Sequence, residues 1–483
     1  MKTKFAFYVL LVISILSPWT VFAEPRHLTI LHFNDLHGHL EPDGPRGGAA
    51  RIATVIRNIE KENSAKGYPT ILLFGGDAFS GTLISSEFKG EVEFRALKQL
   101  GVKAMVLGNH DFDYSLPLLE KRIGESKLDV VAANVRWKKT KELLEPPTIS
   151  IIPATGSSIV IVGLVSKETP HLTNSANVAD LIFDDPIKTA KKYSWLSAYH
   201  ILIALTHEGV DADKRLVEKV KGFDVIIGGH DHVRPHDHCM TVKHIPVCQT
   251  PANGRYLGRL DFEIDGKDIH LIKSELIPIT NQIPEDPKTL SLVREYSKSL
   301  DAKYGRIIGR ALSDLSNARG RESPLGDLVA DAMRSAATSD ISFINSGGIR
   351  APIRKGPITL KSITEVLPFD NHLVTFEVSG KKIREIFNFS AAREGGAFLQ
   401  VSGLSFSVRG KKAKDIVIND LPLDPKKKYT ATTVDFLMNG GDGYTMLKAI
   451  PVTSRGALLR DIVVDYIQAK KDISPPYLGR IGQ

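Results

Sequence analysis

Five short apolar runs in the first half of the chain each break off directly into residues that bind metals, and this repetition limits the fold more than any other feature. They read LTILHFNDLHGH, TILLFGGD, AMVLGNHD, HILIALTHEG and DVIIGGHDH. Runs this short, alternating with segments of helical period, mark βαβ units around a buried sheet. In an open α/β sheet the loops at the carboxyl ends of the strands meet in one crevice, so donors scattered through the sequence converge in space. The donors are Asp35 and His37, Asp77, Asn109, His207, and His230 with His232. All offer oxygen or nitrogen, which suits Zn, Mn, Fe or Co without choosing among them. Together they exceed one tetrahedral site and suit two divalent metal ions sharing a bridging carboxylate. Each DxH or HxH pair, if extended, lies on one face of its strand, and a turn would serve as well. Taken singly, any of these histidines reads better as an ordinary core or surface residue. His32, His39, His171, His200, His236, His238, His244 and His270 keep that assignment. The glycines likewise read singly as turn residues; it is the joint pattern that carries the metal reading.

Composition sets the scale. With 483 residues, 42% hydrophobic and 24% charged, the chain is expected to form two or three domains, at about 100 to 200 residues each. Two cysteines exclude a disulfide-stapled scaffold and any four-cysteine metal site. A net charge of +8 without a long basic run gives no support for nucleic-acid binding. Residues 1–23 carry Lys2 and Lys4, an apolar run over 5–16, Pro18 and a small-residue end at Ala23, the pattern of a cleaved secretory signal peptide. Cleavage there leaves 61 Lys+Arg against 55 Asp+Glu. The chain then reads as an exported protein, periplasmic or extracellular, without a stable membrane anchor. In an oxidising compartment Cys239 and Cys248 are close enough to bond, with two buried thiols or adventitious metal binding beside His236 and His238 as the alternatives.

Helical periodicity covers 48–63, 91–100, 115–123 and 188–199. A polar, proline-containing break at 281–287 precedes a helical stretch over 288–304 that reads as a connector. Beyond it an α+β pattern runs to the end, with strand-like ISFIN, HLVTFEVSG, LSFSV and YTATTV around a helix over 324–337. The reading is a signal peptide (1–23), an α/β domain (24–285), a helical linker (286–305) and an α+β domain (306–483).

In order and spacing these motifs resemble the calcineurin-like dinuclear metallophosphoesterases, and GNHDFDY together with the second domain resembles the 5'-nucleotidase family of exported nucleotide hydrolases. The resemblance implies a four-layer sandwich of mixed sheets flanked by helices, followed by a substrate-binding α+β domain. It implies that one metal takes Asp35, His37 and His232, that the other takes Asn109, His207 and His230, and that Asp77 bridges them. His110 and Asp113 match the family's catalytic pair, and Asp111 stands where many relatives carry Glu. Two cations about 3.5 to 4 Å apart supply a hydroxide at neutral pH and clamp phosphate oxygens. A protonated His110 held by Asp113 adds positive charge where the transition state turns negative.

Four motifs of the second domain also resemble the family: ARGRE with Arg319, NSGGIR with Asn345 and Arg350, LPFDN with Phe369, and FLMNGGDGY with Phe436 and Asp442. Two aromatic rings on separate loops sandwich a base, arginines hold phosphate, and Asp442 accepts from ribose hydroxyls. Taken alone each phenylalanine reads as core, and Arg321 competes with Arg319. Ser346 replaces a third glycine found in many relatives. The implied linker would be the hinge of a domain rotation. The function expected is release of phosphate from nucleoside 5'-phosphates, with UDP-sugars and nucleoside di- and triphosphates as further substrates and no protein partner. The alternatives are a 2',3'-cyclic nucleotide phosphodiesterase with 3'-nucleotidase activity, a thiosulfohydrolase, and a nucleotide-binding surface protein with structural metals.

Overall fold

The computed structural model describes residues 26–153, 158–265 and 268–482. The expected signal peptide, residues 1–23, lies outside them.

Two six-stranded sheets form the first part of the chain. One runs in the order Asp268–Pro278, Tyr256–Asp265, Arg26–Phe33, Thr70–Phe74, Ala104–Val106, Val130–Val131. The other runs Cys239–Val242, Ile245–Cys248, Val225–Ile227, Ile201–His207, Ile159–Val165, Thr148–Ile151. Successive side chains of a strand point to opposite faces, and here the faces have different partners. Ile159, Ile161, Ile203, Leu205, Val225 and Ile227 share one core with the first sheet. Their neighbours Val160, Val162, Leu202, Ala204 and Ile226 pack with Ala190, Leu216 and Val217, which lie on helices Pro186–Tyr193 and Val210–Lys219. Helices Ala49–Ala65 and Glu91–Leu100 cover the first sheet through Ile52, Ile56, Val92 and Leu97. The result is helix, sheet, sheet, helix, with antiparallel strands at one edge of the first sheet and both edges of the second around parallel centres.

The parallel strands aim their carboxyl ends to one side. Ile159–Val165, Ile201–His207 and Val225–Ile227 run parallel, as do Arg26–Phe33, Thr70–Phe74 and Ala104–Val106. Just past His232, Cys239 and Cys248 face each other across an antiparallel pair and are bonded.

Helix Pro287–Tyr304 starts where Asp286 Oδ1 accepts the Thr289 N–H at 2.8 Å. The expected connector is in fact packed: Val293 and Leu300 belong to the core of the first sheets, and the Tyr296 hydroxyl donates to Glu91 at 2.8 Å. Its buried stripe is Thr289, Val293, Ser297 and Leu300, half of it polar, so the apolar period that signals burial is faint.

The remainder has its own core, around a sheet ordered Leu399–Ser402, Ile341–Asn345, Lys428–Val434, His372–Ser379, Val452–Leu458. Helices Pro324–Ala337 and Gly380–Ala391 pack on it, each capped by a serine side chain, Ser323 and Ser379. Phe436 sits in the short helix Asp435–Met438 that follows the strand Lys428–Val434. The two halves touch where the Ser86 hydroxyl donates to the Pro368 carbonyl at 3.1 Å and where Lys361 reaches Glu41 at 3.8 Å.

Candidate active site

Each proposed metal donor stands at or just beyond the carboxyl end of a parallel strand. His207 is the last residue of Ile201–His207, and the others follow Phe33, Phe74, Val106 and Ile227 within a few residues. The DLH and HDH pairs converge through turns, not through extended chain. Asp35, His37, Asp77, His230 and His232 have φ of 50°, 49°, 58°, 98° and 50°. Left-handed backbone at non-glycine residues costs on the order of 1 to 3 kcal/mol each and collects at functional sites. Two glycines make the crossing close enough. A Cβ on Gly76 would lie 2.7 Å from His207 Nδ1, and one on Gly108 would lie 2.1 Å from Asp77 Oδ1.

The donor atoms face one another. Asp35, His37 and His232 form one cluster with ligand atoms within 4.8 Å of one another, and Asp35, Asp77 and His207 form a second. Asp77 Oδ2 lies 3.9 Å from His37 Nε2 and 3.2 Å from His207 Nε2, between the two histidines. Asn109 Oδ1 approaches His230 Nδ1 at 3.0 Å, and the His230 N–H donates to Asp35 Oδ2 at 2.9 Å. Nδ1 of His37 donates to the Phe79 carbonyl at 3.2 Å and Nδ1 of His207 to the Gly75 carbonyl at 2.7 Å, which leaves both Nε2 lone pairs turned inward.

These residues fit a pair of divalent cations. The Nε2 atoms of His37 and His232 are 2.9 Å apart, and buried Asp35 Oδ1 has no hydrogen-bond donor among the described residues. Converging lone pairs and an unpartnered buried carboxylate oxygen need positive charge between them. Burial alone would raise Asp77 and lower His207. Their mutual attraction reverses both, holding Asp77 well below the usual carboxylate range and pushing His207 up to about 10. A cation here competes with that proton.

Beside the cluster, His110 opens the turn His110–Phe112, and its Nδ1 donates to Asp113 Oδ2 at 2.7 Å. Burial works against a charge on His110, but the Asp113 and Asp77 carboxylates outweigh it and raise its pKa. Three supports were not legible in the sequence. The Ser80 hydroxyl donates to Asp113 Oδ2 at 2.6 Å and the Thr173 hydroxyl to Oδ1 at 3.0 Å. Asp111 is buried and accepts four backbone N–H groups, from Gly108 at 2.8 Å, Ala78 at 2.9 Å, Asp77 at 3.0 Å and Phe79 at 3.3 Å. It is no metal donor; it ties the turn that presents Asp77 to the turn that presents Asn109. Asp111→Asn turns one acceptor into a donor against those N–H groups. The expected loss is about 2 to 3 kcal/mol, read as a melting midpoint several degrees lower with reduced metal content.

One cavity of about 420 Å³ joins the two halves. Asp77, Asn109, His110, Asp113, His230 and His232 line it from one side, and Arg319, Asn345, Arg350, Phe369, Phe436 and Asp442 from the other. Arg319 lines this wall and Arg321 does not. Phe369 and Phe436 are both half-buried, and Phe436 also packs against the edge of the second core. The Phe369 ring stacks on His110 with centroids 5.8 Å apart and lies 5.8 Å from the Arg350 guanidinium. The Asn345 amide donates to Asp442 Oδ2 at 2.7 Å, and Asp442 takes φ 52°. Tyr114 and Asn371, the last residues of GNHDFDY and LPFDN, also line the cavity, as does Asn174, which no motif announces.

A four-layer sandwich carrying this donor set at the carboxyl ends of its strands defines a metallophosphoesterase, a class of hydrolase. The calcineurin-like phosphoesterase family profile matches residues 28–234, and that of the 5'-nucleotidase C-terminal domain matches residues 303–449. A 5'-nucleotidase of Diplobatis ommata is 32% identical over 95% of this chain and 90% of its own length. Protein UshA of Yersinia enterocolitica is 28% identical over 91% of this chain and 90% of its own. The crystal structure of a 5'-nucleotidase precursor from Thermus thermophilus superposes with a TM-score of 0.85 at 30% identity, covering 94% of this chain and 99% of that one. The chain belongs to the 5'-nucleotidase family.

Proposed function

We propose that the protein is an exported, dinuclear metal-dependent hydrolase that releases phosphate from nucleoside 5'-phosphates. The observation that carries this reading is the single cavity walled on one side by the metal donors and His110 and on the other by two half-buried phenylalanines and two arginines. Neither Arg319 nor Arg350 forms a close ion pair among the described residues, although Asp442 attracts the first and Asp113 the second from farther away, so both guanidinium groups remain available to an anion between the halves.

In this reading Asp35, His37 and His232 hold one cation, Asn109, His207 and His230 hold the other, and Asp77 touches both. When bound, the cations supply a nucleophile at neutral pH and neutralise the phosphate oxygens. The chain's own groups do the rest. Arg319 and Arg350 orient the phosphate end, Phe369 and Phe436 sandwich the base, and Asp442, fixed by Asn345, accepts from the ribose. His110, with Nδ1 committed to Asp113, presents Nε2–H to the phosphoryl oxygens and the leaving oxygen as their charge grows. The division of labour follows the boundaries 24–285, 286–305 and 306–483, with the first holding the chemistry and the last the selectivity. The Cys239–Cys248 bond supports export, because such bonds persist in oxidising compartments.

Phosphate release from AMP, UMP, ADP, ATP, UDP-glucose, 2',3'-cyclic AMP and 3'-AMP tests the reading, before and after chelation with metal add-back. Activity confined to the 2',3'-cyclic and 3' substrates would replace it. Phe369→Ala and Phe436→Ala are each expected to lower kcat/KM for AMP by one to two powers of ten, matching a stacking loss of about 1 to 3 kcal/mol. Activity on bis-p-nitrophenyl phosphate should hardly change. Equal losses on both substrates would make the rings packing residues.

A further inference from the structure

The strands that carry the metal donors have a second end, and it is unlike the rest of the surface. Helix Pro186–Tyr193 continues directly into the turn Ser194–Ala198 at the amino end of Ile201–His207. Along this path Lys188 and Lys192, four apart, share one face of the helix, and Trp195 and Tyr199 follow in and just past the turn. All four are exposed, as is Lys191. Trp195 is 63% exposed and Tyr199 71%, with their rings edge to face at 6.5 Å. Large aromatic rings this exposed need a reason, because each leaves apolar area in water that a neighbouring core could have taken.

Two neighbouring turns extend the patch. Ile152, 74% exposed, leaves the strand Thr148–Ile151 at this same end of the sheet, where the Ser158 carbonyl accepts the Ile201 N–H at 3.0 Å. On the other flank, the turn carrying exposed Lys221 abuts the aromatic segment, since a Cβ on Gly222 would lie 2.6 Å from Ser197 Oγ.

The charge is one-sided. From Pro186 to His207 the chain has no Asp or Glu. The acidic residues just before it are already engaged: Asp185 caps the helix by accepting the Lys188 N–H at 2.9 Å, and Asp184 pairs with Arg136 at 2.7 Å. Lys188, Lys191 and Lys192 have no carboxylate ion-pair partner among the described residues. Tryptophan and tyrosine with an apolar body and a polar tip, flanked by lysines whose stems can lie along an apolar boundary, suit the headgroup layer of a bilayer.

We infer that this end of the sandwich is a reversible docking surface for an anionic phospholipid membrane, with Trp195 and Tyr199 entering the headgroup region and Lys188, Lys191 and Lys192 supplying the attraction. No helix of the described residues is long and apolar enough to cross a membrane; the inferred attachment is a surface contact of the folded domain. The geometry leaves the catalytic cavity free. His207 closes the opposite end of the same strand, on the order of 20 Å away at the usual rise per residue. A bilayer at the amino ends would leave the cavity mouth open to soluble substrate.

The test uses the full folded chain and vesicles of phosphatidylcholine with or without about one third phosphatidylglycerol. In a Trp137→Phe background, which leaves Trp195 as the reporter in a chain lacking residues 1–23, its emission is expected to shift to shorter wavelength with the anionic vesicles only. The protein should co-sediment with them and be released in large part, but not wholly, by high salt. At roughly fivefold per lysine, charge reversal of Lys188, Lys191 and Lys192 to Glu should weaken binding by about a hundredfold or more. Trp195→Ala with Tyr199→Ala should abolish the residual salt-resistant fraction. Phosphate release from AMP in solution should stay unchanged in both variants, because neither set lines the cavity. Equal binding to neutral and anionic vesicles would overturn the proposal. So would concentration-dependent dimerisation lost in the aromatic variant without any vesicle binding, which would make the patch a contact between copies.

Discussion

Asp77→Asn is expected to cost the enzyme both its metal and its turnover. The side chain stands between His37 and His207, with Oδ2 at 3.9 and 3.2 Å from their Nε2 atoms, and its other oxygen accepts the His110 N–H at 2.8 Å. An amide keeps the volume and one carbonyl oxygen, but loses the negative charge that two adjacent cations need in order to share a site. Their mutual repulsion is then offset only by Asp35. Metal analysis should fall from two equivalents towards one or none, and kcat by about 10³-fold or more, the loss of several kcal/mol of Lewis-acid stabilisation. Full occupancy by two metals in Asp77→Asn would remove the bridging assignment. The result would then point to Asp35, whose carboxylate belongs to both clusters.

What the sequence made legible follows from how directly each feature is local. The donors announced themselves because each ends an apolar strand, and the parallel topology supplies convergence without any residue needing to encode it. The left-handed turns at Asp35, His37, His230 and His232 were not legible, since the same spacing fits an extended strand. Asp111 shows the limit more sharply. It reads as a small departure inside a known motif, yet three of its four N–H donors come from Asp77, Ala78 and Phe79, more than thirty residues earlier. Ser80 and Thr173 meet at Asp113 from separate loops for the same reason. The packed helix Pro287–Tyr304 reads as a connector because half of its buried stripe is polar, so burial left little hydrophobic period to detect. The exposed Trp195 and Tyr199 are the reverse case. In sequence they are simply part of a segment of helical period, and only the fold shows that they stay exposed.

His110→Ala should fail in a different way from Asp77→Asn, keeping its metals and losing speed. His110 donates through Nδ1 to Asp113, which is itself held by Ser80 and Thr173, so the ring is fixed and its Nε2 faces the cavity. The nearby carboxylates overcome burial and raise the ring's pKa, which favours a positive charge where the phosphoryl oxygens gain charge. Removal should lower kcat by about 10² to 10⁴, the usual range for a positioned acid or electrostatic group. The metal content should remain at two, because the ring itself is no donor and the His110 N–H bond to Asp77 is a backbone contact that alanine preserves. The effect should also depend on the leaving group. An activated ester such as p-nitrophenyl phosphate needs little help at its departing oxygen, so its loss should be smaller than that for AMP by a factor of ten or more. Because Phe369 stacks on this ring, some rise in KM for AMP is expected as well. A variant with two metals and undiminished kcat on AMP would assign the stabilisation to Arg350 and the cations. One that has lost a metal would show that the ring shapes the donor cluster and not the transition state.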